Sequence, residues 1–135
     1  MNNLNNNKVF VYGTLKTGGT IRGLNQFGDG AVIVGKAVTT YPDYEMLDLG
    51  SFPGVFKGGT YKIQGEVWEV NDEVMDSLDA IEGYPDFYQR ELTLTTQGKA
   101  WMYYLAGRDA WTGIQNVPNS PHIEIIDDEV KWWRI

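Results

Sequence analysis

The chain of 135 residues contains no cysteine. That absence excludes disulfides, thiol nucleophiles, iron–sulfur clusters and cysteine-ligated zinc. Histidine occurs once, at His122, which excludes a histidine-rich metal site and any mechanism needing two imidazoles. Positive charge is scarce: 11 lysines and arginines stand against 18 acidic residues, for a net charge of −7. Affinity for duplexes comes largely from neutralising phosphates, and anionic membrane surfaces attract basic segments, so neither nucleic acid nor membrane is an expected partner. No apolar run approaches the ~20 residues of a membrane span. Residues 1–7 carry four asparagines in the last five positions and have neither the basic nor the apolar region of a signal peptide. They are expected to form a flexible tail before a single domain over 8–135. With 42% hydrophobic and 21% charged residues, what remains is an acidic chain long enough to bury a core without staples. A cytoplasmic location is expected.

Order is expected to begin at Lys8-Val9-Phe10-Val11-Tyr12, a β-branched and aromatic run typical of a buried strand. It stops at the glycine-containing loop Gly13-Thr14-Leu15-Lys16-Thr17-Gly18-Gly19. Residues 20–30 fit either a short helix or a loop. Strands are expected over Ala31 to Thr40, Tyr44 to Leu49 and Tyr61 to Val70, with a turn at Ser51-Phe52-Pro53-Gly54. The period then changes. Asn71 or Asp72 can cap a helix whose apolar positions are Val74, Met75, Leu78 and Ile81. Gly83 sits where a left-handed residue ends such a helix, and Pro85 follows. Tyr88 to Thr95 and Ala100 to Ala106 read as strands joined by a turn at Thr96-Gln97-Gly98-Lys99. Beyond Gly107 the pattern thins, although Trp111, Trp132 and Trp133 require burial. Many strands and one clear helix predict an α+β fold, with a curled antiparallel or mixed sheet closing toward a barrel.

One residue of the helix is out of character. With Val74 set at zero and about 100° per residue, Leu78 falls near 40°, Met75 near 100° and Glu82 near 80°. A glutamate thus lies within the apolar stripe, in the last turn. Burial and the negative end of the helix dipole both disfavour its charged form and raise its pKa, as suits a general acid/base. The competing reading pairs Glu82 with Arg90 or turns it out past the helix end. Glu45, Glu66, Glu73, Glu91 and Glu124 are assigned to solvated faces.

The loop from Tyr12 to Lys16 has two readings as well. Its backbone N–H groups can form a nest for an anion or carbonyl oxygen, or it is a plain turn; it lacks the Gly-x4-Gly-Lys-Ser/Thr of a phosphate loop. Tyr88 and Arg90 share a strand face with Leu92 and Leu94. An arginine on that face calls for a carboxylate, which Glu82, another acid or a substrate could supply. Trp101, Tyr103 and Leu105 are assigned to the core rather than to a stacking platform. His122, within Asn119-Ser120-Pro121-His122, reads as a loop residue, and no Ser-His-Asp arrangement is credible.

Taken together, Val9-Phe10-Val11-Tyr12-Gly13-Thr14-Leu15-Lys16, Leu78-Asp79-Ala80-Ile81-Glu82-Gly83-Tyr84-Pro85 and Tyr88-Gln89-Arg90 resemble the γ-glutamylcyclotransferase-like superfamily. The likeness is to its small members related to γ-glutamylamine cyclotransferase. Phe52-Pro53-Gly54-Val55, Gln64 to Val70 and Ala100 to Tyr104 add to it, over a span of about Lys8 to Ala106. The resemblance implies a small mixed β-barrel with one main helix and a cavity at one end. It implies that Tyr12, Gly13, Thr14 and Leu15 hold the glutamyl part of a substrate by backbone groups. It makes Glu82 the catalytic acid/base, and places Tyr88 and Arg90 at the substrate or in support of it. The implied reaction is the cyclisation of a γ-glutamyl amine or peptide to 5-oxoproline with release of an amine, without metal or cofactor. Two other readings stay open. One is a non-catalytic small-molecule binding module on the same fold. The other is an enzyme that removes a γ-glutamyl protecting group from a biosynthetic intermediate. The flanks, Thr17 to Gly30 and everything after Gly107, are not diagnostic, and the sequence leaves the oligomeric state open.

Overall fold

The structure is a computed structural model that describes residues 7–13, 23–50, 52–111 and 122–132. Its strands are β1 (Asn7–Val11), β2 (Ala31–Val38), β3 (Tyr44–Asp48), β4 (Pro53–Lys57), β5 (Lys62–Val70), β6 (Tyr88–Thr95), β7 (Gly98–Leu105), β8 (Ile123–Ile126) and β9 (Glu129–Trp132). Helix α1 spans Asp72–Glu82, and short 3-10 helices span Leu24–Gly30 and Arg108–Trp111. The main sheet runs β6–β7–β1–β5–β9–β8, with β2 also hydrogen-bonded to β5, while β3 and β4 form a separate hairpin. β1 is parallel to β7, and β5 is parallel to β9. The remaining pairs are antiparallel.

The unbroken apolar run of β1 follows from burial on both faces of the sheet. Val9 and Val11 enter one core with Trp68, Val70, Tyr103 and Leu105, to which α1 adds Val74, Met75 and Leu78. Phe10 and Tyr12 enter a second core with Val67, Ala100, Met102 and Trp132. The sheet curls until the end of β2 meets the end of β6. There Thr39 bridges Thr95, Thr40 N–H donates to the Leu94 carbonyl at 2.9 Å, and Thr96 N–H donates to Val38 at 3.0 Å. The architecture is α+β: a mixed sheet curled into a half-barrel, with one α-helix among the described residues. The expected small barrel is met to that extent.

Helix α1 begins and ends as its sequence dictates. The Asn71 side chain accepts from Val74 N–H at 2.8 Å, and Asp72 and Glu73 occupy the first turn. Gly83, at φ 68°, takes the left-handed conformation that costs glycine least. Its N–H donates to Ala80 at 3.2 Å while Tyr84 N–H donates to Asp79 at 2.9 Å, the paired closure of a Schellman end.

Several expectations are corrected. Ile81 is 54% exposed, so the buried arc of α1 runs through Val74, Met75 and Leu78 and keeps Glu82 inside it. On β6, Leu92 and Leu94 are exposed while Thr93 and Thr95 are buried. The reason is the curl. Past Arg90 the strand's other face turns inward, where the Thr93 and Tyr44 hydroxyls meet at 2.7 Å. Glu66, assigned to a solvated face, is buried and accepts from Trp68 Nε1 at 3.1 Å. Pro53 and Gly54 open β4 instead of closing a turn; a proline at the first strand position withholds no ladder donor that an interior position would need. The β8–β9 hairpin, turning at Asp127 with φ 57°, fills a stretch where no pattern was read. β1 starts at Asn7, one residue earlier than expected. Trp132 is buried and Trp111 packs against Phe56 and Phe87, whereas Trp133 lies outside the described residues.

Candidate active site

The last turn of α1 carries Glu82 onto the side of the sheet where β1, β6 and β7 run side by side. The residue is partly buried, and burial pushes its carboxyl from an ordinary 4.5 to about 7. No described residue donates a hydrogen bond to it or forms an ion pair with it. Three tyrosines from three strands feel its charge: Tyr12 after β1, Tyr88 on β6 and Tyr103 on β7. Each hydroxyl is held above its ordinary pKa, first by burial. For Tyr88 the Glu82 charge comes next. For Tyr12 it follows the effect of Tyr88, and for Tyr103 it follows the hydrogen bond and charge of Asp79 and the opposing effect of Arg90.

All three phenols remain protonated near neutrality, yet each spends its proton elsewhere. Tyr12 donates to the Tyr103 carbonyl at 2.6 Å, Tyr88 to the Pro53 carbonyl at 2.8 Å, and Tyr103 to Asp79 Oδ1 at 2.7 Å. Burial strips water from Glu82, and none of the three hydroxyls repays it a hydrogen bond. That imbalance is the physical origin of the raised carboxyl.

Gly13 follows Tyr12 against the start of β4. A Cβ there would lie 2.9 Å and 3.0 Å from the Pro53 ring carbons, so packing demands glycine. The carbonyl of that same Pro53 takes the Tyr88 proton, and the ends of β1, β4 and β6 are thereby tied together. Thr14 and Leu15, the other residues expected to bind substrate through their backbone, lie outside the described residues, as does Lys16.

Arg90 resolves a question the sequence left open. Its partner is Asp79, bound through Nε at 2.9 Å and Nη2 at 3.2 Å. The guanidinium also lies over the rings of Tyr84, at 4.6 Å, and Trp101, at 4.4 Å. Tyr88 and Arg90 therefore play different parts: the first feels the charge of Glu82, the second is engaged with a carboxylate of its own. Sequence reasoning singled out neither Asp79 nor Tyr103 for this place. The available signal was the spacing of Asp79, three residues before Glu82 on the same helix.

Beside Tyr88, the rings of Phe52, Phe87 and Trp111 form a chain of edge contacts, with Phe87 largely exposed. His122 Nδ1 pairs with Asp48 Oδ2 at 2.6 Å, and its ring lies 5.2 Å from that of Trp132. Among the described residues no cluster of three or more histidine or acidic side chains could hold a metal ion, and no helix is long and apolar enough to cross a membrane. A carboxyl poised near neutrality, without a partner, among phenol rings can take up and return a proton.

Comparison with known proteins bears on this geometry. The family described as "Gamma-glutamyl cyclotransferase, AIG2-like" matches residues 9–129. That span passes Ala106, where the motifs stop, and takes in the β8 strand. The gamma-glutamylcyclotransferase family protein ytfP of Citrobacter rodentium is 33% identical over 97 residues, 71% of this chain and 79% of that protein. The gammaglutamylaminecyclotransferase of Bos taurus is 40% identical over 88 residues, 61% of this chain and 52% of that protein. The crystal structure of an AIG2-like protein from Mus musculus superposes with a TM-score of 0.70 at 22% identity, over 87% of this chain and 92% of that one, a likeness of fold.

Proposed function

The chain belongs to the gamma-glutamyl cyclotransferase, AIG2-like family, and on that premise we propose that it cyclises a γ-glutamyl amine or peptide to 5-oxoproline with Glu82 as acid/base. The observation that carries this reading is the Glu82 carboxyl, unpartnered among the described residues and raised by burial to about 7. Near neutrality both its forms are populated, and one group can serve first as base and then as acid.

The reaction is an intramolecular aminolysis. The substrate's α-ammonium gives a proton to ionised Glu82, and the freed amine attacks the γ-carbonyl carbon. A C–N bond forms and closes a five-membered ring, with an oxyanion on the former carbonyl. Protonated Glu82 then gives its proton to the leaving nitrogen as the old C–N bond breaks. The ring nitrogen sheds its surplus proton, and the released amine departs as ammonium, so no net proton is consumed. Nucleophile and electrophile belong to one molecule, and the protein need only fold the glutamyl chain into reacting shape; orientation of this kind contributes up to ~7–11 kcal/mol. The resemblance assigns the glutamyl part to the backbone of the loop from Tyr12 to Leu15, and the mechanism assigns the oxyanion to the N–H groups of Gly13, Thr14 and Leu15. Such donors stabilise charge as it develops.

The test is release of 5-oxoproline from a panel of γ-glutamyl amines and γ-glutamyl peptides by the wild type and by Glu82→Gln. The variant is expected to lose ~10²–10⁴-fold in kcat. Cyclisation within tenfold of wild type would remove Glu82 from the mechanism. A wild type that binds members of the panel and releases no 5-oxoproline is a binding module.

A further inference from the structure

Glu82 has no hydrogen bond of its own to hold it among the described residues, so its position is inherited from the backbone of the last turn. That turn is fixed by one residue twice over. The Asp79 carbonyl accepts the Tyr84 N–H that closes the helix, at 2.9 Å. The Asp79 carboxylate accepts three further hydrogen bonds: from Arg90 Nε at 2.9 Å, from Arg90 Nη2 at 3.2 Å and from the Tyr103 hydroxyl at 2.7 Å. Arg90 returns to the helix end through the ring of Tyr84, 4.6 Å away, and also lies over the ring of Trp101. Asp79, Tyr84 and Arg90 thus form a closed loop around Glu82 and Gly83, and Tyr103 ties that loop to β7.

We propose that Asp79 is a positioning residue for the proton carrier: through Arg90 and Tyr103 it clamps the end of α1 so that Glu82 is kept dehydrated among its three tyrosines. This rests on the catalytic reading of Glu82. The clamp has an electrostatic side as well. Among the described residues, the titratable and charged groups about the helix end include Tyr12 after β1, Tyr84 just past α1, Tyr88 and Arg90 from β6, Tyr103 from β7, and Asp79 on α1 itself. Arg90 is the one cation among them. Its charge is taken up by Asp79 and not by Glu82. Arg90 therefore belongs to the scaffold that seats the helix end.

Two variants test the clamp. Asp79→Asn keeps the shape and loses the charge; Tyr103→Phe removes a single donor and changes no charge. Both are read by NMR titration of the Glu82 carboxyl in the protein without substrate, and by kcat, KM and the pH–rate profile on a substrate the wild type cyclises. In Asp79→Asn the Glu82 midpoint is expected to fall by about one unit or more, because a freed guanidinium and entering water both favour the carboxylate. In Tyr103→Phe it falls by less, through water alone. In both, kcat drops by about 10- to 100-fold with KM little changed, as a misplaced catalytic group requires. A loss of thermal stability with the midpoint and kcat unmoved would make the cluster purely structural and overturn the proposal. Should Asp79→Asn not fold, Tyr103→Phe decides alone. A wild type that cyclises nothing overturns the catalytic reading of Glu82, whereas an active wild type whose midpoint ignores both variants overturns only the clamp.

Discussion

Two carboxylates three residues apart on α1 meet opposite surroundings. Asp79 is saturated, with three charge-assisted or hydroxyl hydrogen bonds from β6 and β7. Glu82, one turn later, acts by its charge on three phenols whose hydroxyls all donate elsewhere. Similar burial, on one helix, thus yields a structural ion pair in one case and a carboxyl lifted to about 7 in the other. What separates them is the supply of donors, not depth. A carboxylate given donors is an anchor; a carboxylate denied them becomes a proton carrier. The acids of β3 follow the first pattern: Glu45 is paired with Arg108 and Asp48 with His122.

The sharpest way to break this contrast is to delete each carboxylate in turn. Asp79→Ala strands the part-buried Arg90 guanidinium over two aromatic rings with its acceptor gone, and is expected to destabilise the fold by about 2–4 kcal/mol. Glu82→Ala removes a group that no described residue bonds, and should cost far less. Urea unfolding at pH 7 measures both. Equal losses would mean that Glu82 is bound as firmly as Asp79, and the proton-carrier reading would lose its physical basis.

The second test turns on pH. The Glu82 carboxyl has its folded pKa raised from 4.5 to about 7, so the folded state holds this proton more tightly than the unfolded chain. Glu82 therefore costs nothing below about pH 4.5. Its penalty develops as pH rises through that window and is complete above about 7, where ionising it in place opposes folding. Glu82→Gln is expected to be neutral at pH 4 and more stable than wild type by about 1–3 kcal/mol at pH 8, allowing for partial solvent contact. A stability difference that does not change between those pH values would show an ordinary, hydrated carboxyl.

How much of this was legible beforehand follows from the range of the forces involved. α1, a cap at Asn71 or Asp72, its Gly83 end and the Tyr88–Thr95 strand were readable, because capping, left-handed closure and periodicity are local. The angular position of Glu82 was readable for the same reason. The faces of β6 were not, since the curl that turns Thr93 inward is a property of the whole sheet. Glu66 was misassigned because its donor, the Trp68 indole, sits two residues away on the same strand face and satisfies it in the interior. The Asp79–Arg90 pair lay within reach: an arginine on that face demanded a carboxylate, and the choice between Asp79 and Glu82 needed only the register of helix against strand, which no local pattern supplies. The β8–β9 hairpin was missed because two four-residue strands carry too little periodicity to register.

The smallest effect sits at the far end of the same helix. Asn71→Ala removes the side chain that accepts Val74 N–H at 2.8 Å, while the Asn71 N–H bond to the Gly30 carbonyl is a backbone contact that the substitution leaves in place. Loss of such a cap costs about 1 kcal/mol, which for a domain of this size lowers Tm by a few degrees. The Glu82 titration should not move, because Leu78 and the Asp79 bonds hold the last turn independently of the first. If the Glu82 midpoint instead falls as far in Asn71→Ala as in Tyr103→Phe, α1 is seated as a rigid rod and every restraint along it positions the carboxyl equally. Asp79 would then owe its effect to stability alone, and the difference between the two carboxylates would be one of bonding without consequence for the proton.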